Sequence, residues 1–151
     1  MNLKKPSINN IVVIDSNFVL LPFQFKIDYL QEIELNLEGK TKFIIFKQVL
    51  DELEAKKTRE HKAIKFQKHF QSGLSYLEKN QSKFDIVYLD DIKDKHETTD
   101  DFLVRSSINL KSDNSRVFLA SNDALLRKKA KESDIGRIFL RQKKYLSFER
   151  S

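Results

Sequence analysis

Four acidic residues, Asp15, Glu52, Asp100 and Asp123, each stand where an apolar run hands over to an amphipathic one, or just inside the latter. Parallel α/β sheets gather functional groups at one edge, outside the carboxyl ends of the strands. Carboxylates meeting there repel one another, and a divalent cation among them relieves the repulsion. Mg²⁺ and Mn²⁺ suit such a site, because both take hard oxygen ligands that bring negative charge. The chain therefore reads first as a metal-dependent enzyme, in which such ions lower the pKa of a bound water and orient the reacting oxygens. A side-chain nucleophile is not required.

Each acid taken singly has a plainer role. Asp100 and Asp123 can cap helices, and Asp51, Glu52 and Glu54 can serve as first-turn acids or as i, i+4 mates of Lys56 and Lys57. Glu54 is read as that and no more. Asp15 resists the plain reading because it follows the apolar run Ile11–Ile14 directly, where burial without a counter-charge is costly. The joint occurrence decides for a metal site: strands one, two and four all lead into a carboxylate, and so does the loop after strand three.

The elements that must position these acids are legible from periodicity. Asn10–Ile14 is a continuous β-branched run of the kind buried on both faces of a parallel sheet. Phe25, Ile27, Leu30, Ile33 and Leu37 predict a helix over 24–37, with Gly39 as its stop. Phe43–Phe46 predicts a second strand, followed by a short helix that begins with Val49 and carries Glu52. A helix is expected over 60–79 with Gly73 as a weak point, then a strand over 84–89 and a charged, mobile loop over 90–97. Thr98-Thr99-Asp100-Asp101 supplies an N-cap and first-turn acids for a helix through Asn109. Arg116–Ala120 is a fourth strand, Asp123 caps a helix over 124–132 that Gly136 breaks, and Ile138–Leu140 is a fifth strand. The order implies a three-layer α/β/α fold with a central parallel sheet of about five strands.

At 151 residues the chain fits one domain over 1–151, with its core about 10–146, large enough to build a real core without staples. The absence of cysteine excludes disulfides, thiolate zinc sites and a cysteine nucleophile. His61 and His69 lack the i, i+4 spacing of a zincin pair, so no histidine metal site is expected. No apolar run approaches the ~20 residues that span a bilayer, and Met1–Pro6 has no apolar segment behind its lysines. A soluble, cytoplasmic protein with no membrane partner is therefore expected. A net charge of +6 and a pI of about 9.4 suggest a polyanionic partner.

Asp15-Ser16-Asn17-Phe18, Val49-Leu50-Asp51-Glu52-Leu53-Glu54, Thr99-Asp100-Asp101-Phe102 and Ala120-Ser121-Asn122-Asp123 resemble, in order and strand context, the four-acid signature of PIN-domain ribonucleases. The resemblance runs from about Asn10 to Leu146. Phe18–Ile33 and Ile138–Leu146 look closest to the archaeal group related to the nuclease of small-subunit ribosomal RNA processing, which is also similar to VapC toxins. The resemblance implies an endoribonuclease using Mg²⁺ or Mn²⁺, with Asp15, Glu52, Asp100 and Asp123 binding the metal. Asp101 is the rival of Asp100, since helix geometry points the adjacent side chains about 100° apart. Ser16, Asn17, Ser121 and Asn122 would be the polar groups that orient the acids. Ser16 stands where the family more usually has threonine. The implied partners are RNA (ribosomal, transfer or messenger), an antitoxin or a ribosome-assembly factor, and a second copy in a homodimer.

Two basic clusters leave the acidic edge and offer a path for RNA. Lys56, Lys57, Arg59, Lys62, Lys65 and Lys68 follow Glu52, and Arg127, Lys128, Lys129 and Lys131 follow Asp123. The bland alternative for any one of them is a solvated lysine face. Phe23, Phe102 and Tyr145 are candidates for base stacking. Three other functions compete. A phospho-receiver domain would want an acid pair after strand one, where this chain has Asp15-Ser16-Asn17. A haloacid-dehalogenase-like phosphatase would want a second aspartate at position 17. A PIN-like scaffold that binds RNA or protein without cutting would keep the fold, and only a cleavage assay separates it from a nuclease.

Overall fold

The computed structural model describes residues 8–59 and 64–150, with 58 and 59 by backbone alone. His61 and Lys62 lie outside the described residues, as do Met1–Pro6 and the side chain of Arg59. The elements are β1 (Asn9–Ile14), α1 (Ser16–Val19), α2 (Leu21–Gln24), α3 (Tyr29–Asn36), β2 (Lys40–Phe46), α4 (Lys47–Arg59) and α5 (Ile64–Asn80). They continue with β3 (Asp85–Leu89), α6 (Thr99–Asn109), β4 (Ser115–Ala120), α7 (Ala124–Glu132), β5 (Gly136–Arg141) and β6 (Tyr145–Glu149).

The sheet has six strands in the order β3-β2-β1-β4-β5-β6, all parallel except the antiparallel β5–β6 pair at one edge. Strand residues alternate between two apolar layers, as the period of two requires. Val12, Ile14, Phe43, Ile45, Phe118 and Ile138 face α1, α2, α3, α4 and α5, where Phe18, Leu30, Leu53, Phe70 and Leu77 cover them. Val13, Ile44, Phe46, Val117 and Leu119 face α6 and α7, covered by Phe102, Leu103, Leu126 and Ala130. Nearly continuous burial of Val12, Val13 and Ile14 follows from this coverage on both sides. The three-layer α/β/α reading agrees with this architecture.

The structure departs from the sequence expectations at five places. The single helix over 24–37 is instead α2 and α3, because Lys26 takes a left-handed backbone (φ 56°) and Phe25 and Ile27 turn inward from the connection. The helix after strand two is not short: α4 spans 13 residues. A sixth strand follows β5, reached through Gln142 and Lys143, both left-handed (φ 51° and 57°), which permit a tight reversal. Gly136 does not stop α7, which ends at Ser133; it opens β5, and a Cβ there would come within 2.5 Å of the Phe118 ring. Gly73 is likewise required rather than merely tolerated, since a Cβ would meet the Val19 carbonyl oxygen at 2.0 Å. That close approach seats α5 directly on α1, the helix that begins at Asp15.

Among the described residues no helix is long and apolar enough to cross a membrane.

Candidate functional site

In the strand order the chain runs outward from β1 through β2 to β3, then returns to β4 on the other side of β1. The topological switch point, where a crevice opens beyond the strand ends, therefore lies between β1 and β4. Asp15 occupies it. Its backbone N–H donates to the Ala120 carbonyl at 3.0 Å, extending the β1–β4 ladder one step past β1. Asp15 is only 7% exposed, and its carboxylate caps α1.

Three donors hold that carboxylate. Ser16 N–H donates to Oδ1 at 2.7 Å, and Ser121 Oγ and Asn17 Nδ2 donate to Oδ2 at 2.7 and 3.1 Å. Ser121 is fully buried, and its Oγ also accepts from Asp123 N–H at 3.0 Å and from Asn17 Nδ2 at 3.3 Å. Asn17 Oδ1 accepts from Asn122 N–H at 3.0 Å. The loops after β1 and β4 are thus stitched across the crevice by side chains rather than by a further backbone ladder. Asn122 takes a different part from the one expected: its Oδ1 accepts from Leu140 N–H at 2.8 Å, which ties the loop to β5 and not to an acid. Ser16 acts on Asp15 through its backbone N–H.

Asp123 is exposed at the N-cap of α7, where its Oδ1 accepts from Leu125 and Leu126 N–H at 2.9 and 3.1 Å. Asp100 is half-buried in the first turn of α6, whose cap is Thr98. Asp101 points elsewhere, pairing with Lys129 Nζ at 3.0 Å. Glu52 accepts from the Thr99 hydroxyl, from Gln48 Nε2 at 3.4 Å, and is 3.6 Å from Lys93 Nζ.

The carboxyl groups sense one another. Burial pushes the Asp15 carboxyl up; the Ser121 and Ser16 bonds pull it back, and Asp100 and Asp123 push it up again. Asp100 is raised by burial first and then by Asp123, with Lys129 opposing and Asp101 and Glu52 adding to the rise. Asp101 is held below the usual range by Lys129 and Thr98. Asp15, Asp100 and Asp123 therefore share one electrostatic neighbourhood, with Glu52 at its border on Asp100. Among the described residues no three acidic or imidazole groups are set to grip an ion as the side chains lie. The donor set nonetheless fits a hard divalent cation in kind: it is all oxygen and anionic, and its two most buried members have raised carboxyls that a nearby positive charge would relieve.

The basic residues divide. Lys56 Nζ lies over the Phe66 ring at 4.9 Å, and Lys57 is 3.8 Å from Glu54. Lys65, Lys68 and Lys128 are exposed. Arg127 lays its guanidinium on Phe139, 4.1 Å from the ring centroid. Of the aromatic candidates, Phe102 is fully buried against Phe46 and cannot stack on a base, because it lies on the face of α6 that covers the sheet. Phe23 and Tyr145 are exposed, Phe23 beside His69 at 5.1 Å. Three contacts escaped the sequence. Thr99 had been read only as part of a cap, and nothing local marks Lys93 or Lys129 as the partner of an acid far away in the chain.

Comparison with known proteins fits this geometry. A family model described as "PIN like domain" matches residues 12–143. Ribonuclease VapC4 of Methanocaldococcus jannaschii is 27% identical over 135 residues, covering 89% of this chain and 92% of the relative. The PIN domain endonuclease Utp24 shares the fold with a TM-score of 0.66 at 23% identity, over 93% of this chain and 92% of that one. A domain of a functionally unknown protein from Methanocaldococcus jannaschii matches with a TM-score of 0.60 at 17% identity, over 87% of this chain and 91% of that one.

Proposed function

The chain belongs to the PIN like domain family, and from that premise we propose that it is a divalent-metal-dependent endoribonuclease that hydrolyses RNA phosphodiester bonds in the cytoplasm. One observation carries the reading: a carboxylate buried at the switch point of the sheet, fixed by three donors and bordered by the Asp100 and Asp123 carboxylates. The cost of keeping such a group ionised is recovered when a cation binds beside it. The name of the VapC4 relative, a ribonuclease, supports RNA as the substrate.

Asp15, Glu52, Asp100 and Asp123 are the groups we assign to hold Mg²⁺ or Mn²⁺. Asp100 is preferred to Asp101, whose carboxylate is already paired with Lys129. A bound divalent ion supplies an activated water and charge relief on the phosphoryl oxygens. The chain's own part is positional. Ser121 and Asn17 fix the rotation of the Asp15 carboxylate, so that its remaining lone pairs face one way into the crevice. Ser121 also holds the backbone from which Asp123 projects. Thr99 steadies Glu52, Lys93 lies 3.6 Å from the same carboxylate as a counter-charge that competes with a metal, and Lys129 keeps Asp101 turned aside.

The test is incubation of the purified protein with single-stranded and structured RNA, with Mn²⁺ or with chelator, beside Asp15→Asn. Cleavage is expected only with metal and only in the wild type. Mn²⁺ at a hundred times its dissociation constant should stabilise the wild type by about 2.7 kcal/mol and leave Asp15→Asn unmoved. Without metal the variant is expected to be at least as stable as the wild type. Cutting by Asp15→Asn, or equal cutting in chelator, sinks the proposal. A toxin role and a ribosomal RNA-processing role share these residues and differ in partners. Growth arrest on expression, relieved by the product of a neighbouring gene, marks the former; accumulation of uncut ribosomal precursor on depletion marks the latter.

A further inference from the structure

Beside α7 a cavity of about 240 Å³ is lined by Ala124, Arg127, Lys128, Lys131, Arg137, Phe139 and Glu149. Ala124, Arg127, Lys128 and Lys131 form one stripe of the helix, spaced three and four apart. Four cations thus meet a single carboxylate, and that carboxylate is already taken: Glu149 pairs with Arg137 Nη2 at 3.0 Å. Arg137 is 5% exposed and also donates from Nη1 to the Ile135 carbonyl at 3.0 Å, so it is a fixed part of the wall.

Arg127 is the informative member. Its guanidinium lies over the Phe139 ring, 4.1 Å from the centroid, a ring that Arg141 also approaches at 5.2 Å, and its Nε is buried with no hydrogen-bond partner among the described residues. A charged donor buried beside a cavity and left unsatisfied marks a place where an acceptor belongs. A planar guanidinium held on an aromatic face, with lysines to either side, suits the oxygens of a phosphate group.

We infer that this cavity is a phosphate-binding subsite, taking a backbone phosphodiester of the RNA strand away from the scissile bond. The identity of the ligand rests on the ribonuclease reading above. The distance supports it. At 1.5 Å per residue, Arg127 and Lys131 lie about 6 and about 12 Å along α7 from Asp123. That is about two to four nucleotide steps at the ~3.4 Å per-strand spacing of stacked nucleic acid. The strand would leave the acidic edge along the seam between α7 and β5. In the other basic cluster Lys56 rests on Phe66 and Lys57 lies beside Glu54.

The experiment measures binding, not cutting, so that its outcome is independent of catalysis. Fluorescence anisotropy of a single-stranded RNA oligomer is followed against salt in Asp15→Asn protein, with and without Lys128→Gln/Lys131→Gln. Lys42→Gln/Lys83→Gln removes equal charge from exposed positions elsewhere and serves as control. Loss of one phosphate contact should flatten the log–log salt slope by ~0.7 in the pocket variant and leave the control unchanged. The Arg127 Nε–H resonance should shift on adding RNA, at concentrations where inorganic phosphate leaves it in place. Equal flattening in the control, or an Arg127 signal that RNA does not move, overturns the inference. An equal response to inorganic phosphate overturns the strand assignment in favour of a free-anion site. Should binding behave as expected while the wild type fails to cut RNA, the subsite stands and the nuclease reading falls.

Discussion

Replacing Ser121 with alanine tests whether the crevice is organised around an ionised Asp15. The hydroxyl is fully buried and bonded three ways, to Asp15 Oδ2 at 2.7 Å, from Asp123 N–H at 3.0 Å and from Asn17 Nδ2 at 3.3 Å. A hydrogen bond to a charged group contributes about 1.5–3 kcal/mol and a neutral one about 1 kcal/mol. Counting the longest bond as negligible, Ser121→Ala should lose about 2.5–4 kcal/mol in urea unfolding at pH 7 in chelator, with the slope unchanged. The loss should depend on pH. Burial raises the folded-state carboxyl of Asp15 above its ordinary 3.8. Its favourable contribution is therefore complete below that value and is lost as pH rises through the folded pKa. Ser121 softens that loss by favouring the ionised form. The gap between wild type and Ser121→Ala should thus be smallest in acid and widen as pH rises through the folded pKa of Asp15. An Asp15→Asn background should shrink the cost of Ser121→Ala, because the charge-assisted share is gone. A loss under about 1 kcal/mol, or a gap flat across that range, refutes the reasoning.

Gly73→Ala places a Cβ 2.0 Å from the Val19 carbonyl oxygen, and the backbone shift it forces should cost about 1–3 kcal/mol in denaturant unfolding; an unchanged midpoint would show that α5 is not seated on α1 as described. Lys93→Ala frees Glu52 of an exposed cation 3.6 Å away, so the Mn²⁺ concentration needed for half-maximal thermal stabilisation should fall by a few fold, on the order of 1 kcal/mol or less; a higher requirement would place Lys93 among the groups that aid the metal. Glu97 accepts two bonds from Arg105, each 2.8 Å, and Arg105 holds its carboxyl down to about 2 from 4.5. Its contribution is present above 4.5 and is lost as pH falls toward 2, so the wild type should lose stability over that window more steeply than Glu97→Gln, and parallel curves would deny the pairing.

The parts of the fold that announced themselves were those in which local and tertiary preferences agree. β1, β2, β4 and α7 lie within a residue or a few of their expected bounds, because a β-branched run buried on both faces and an Asp123 cap before a basic amphipathic helix leave little choice. The misreadings have the opposite character. Lys26, Gln142 and Lys143 adopt left-handed backbones that their side chains do not advertise, so the break before α3 and the reversal into β6 carried no glycine or asparagine signal. The acids followed the same rule. Their positions after strands were visible, whereas Thr99 on Glu52 and Asn17 on Asn122 are contacts between segments 47 and 105 residues apart, and no short pattern encodes them.

The strand order explains why those long-range contacts matter more than the acids' number. With β1 central and the chain departing to β2 on one side and β4 on the other, nothing in the backbone ladder beyond Ala120 and Asp15 holds the two loops in register at the crevice. Ser121 and Asn17 do so, and both bind the same oxygen of Asp15. An apolar pair at those positions would bridge the loops equally well but would leave a buried anion without donors, a cost of several kcal/mol. Two hydrogen-bond donors on one oxygen favour the ionised form of the carboxylate they hold, against the burial that disfavours it. Keeping an ionised carboxylate dry beside Asp100 and Asp123 serves no packing purpose, since the apolar layers on either face of the sheet are already closed. What the arrangement provides is an oxygen of fixed direction in the crevice, with two further carboxylates nearby, the kind of donor a hard cation takes as a ligand.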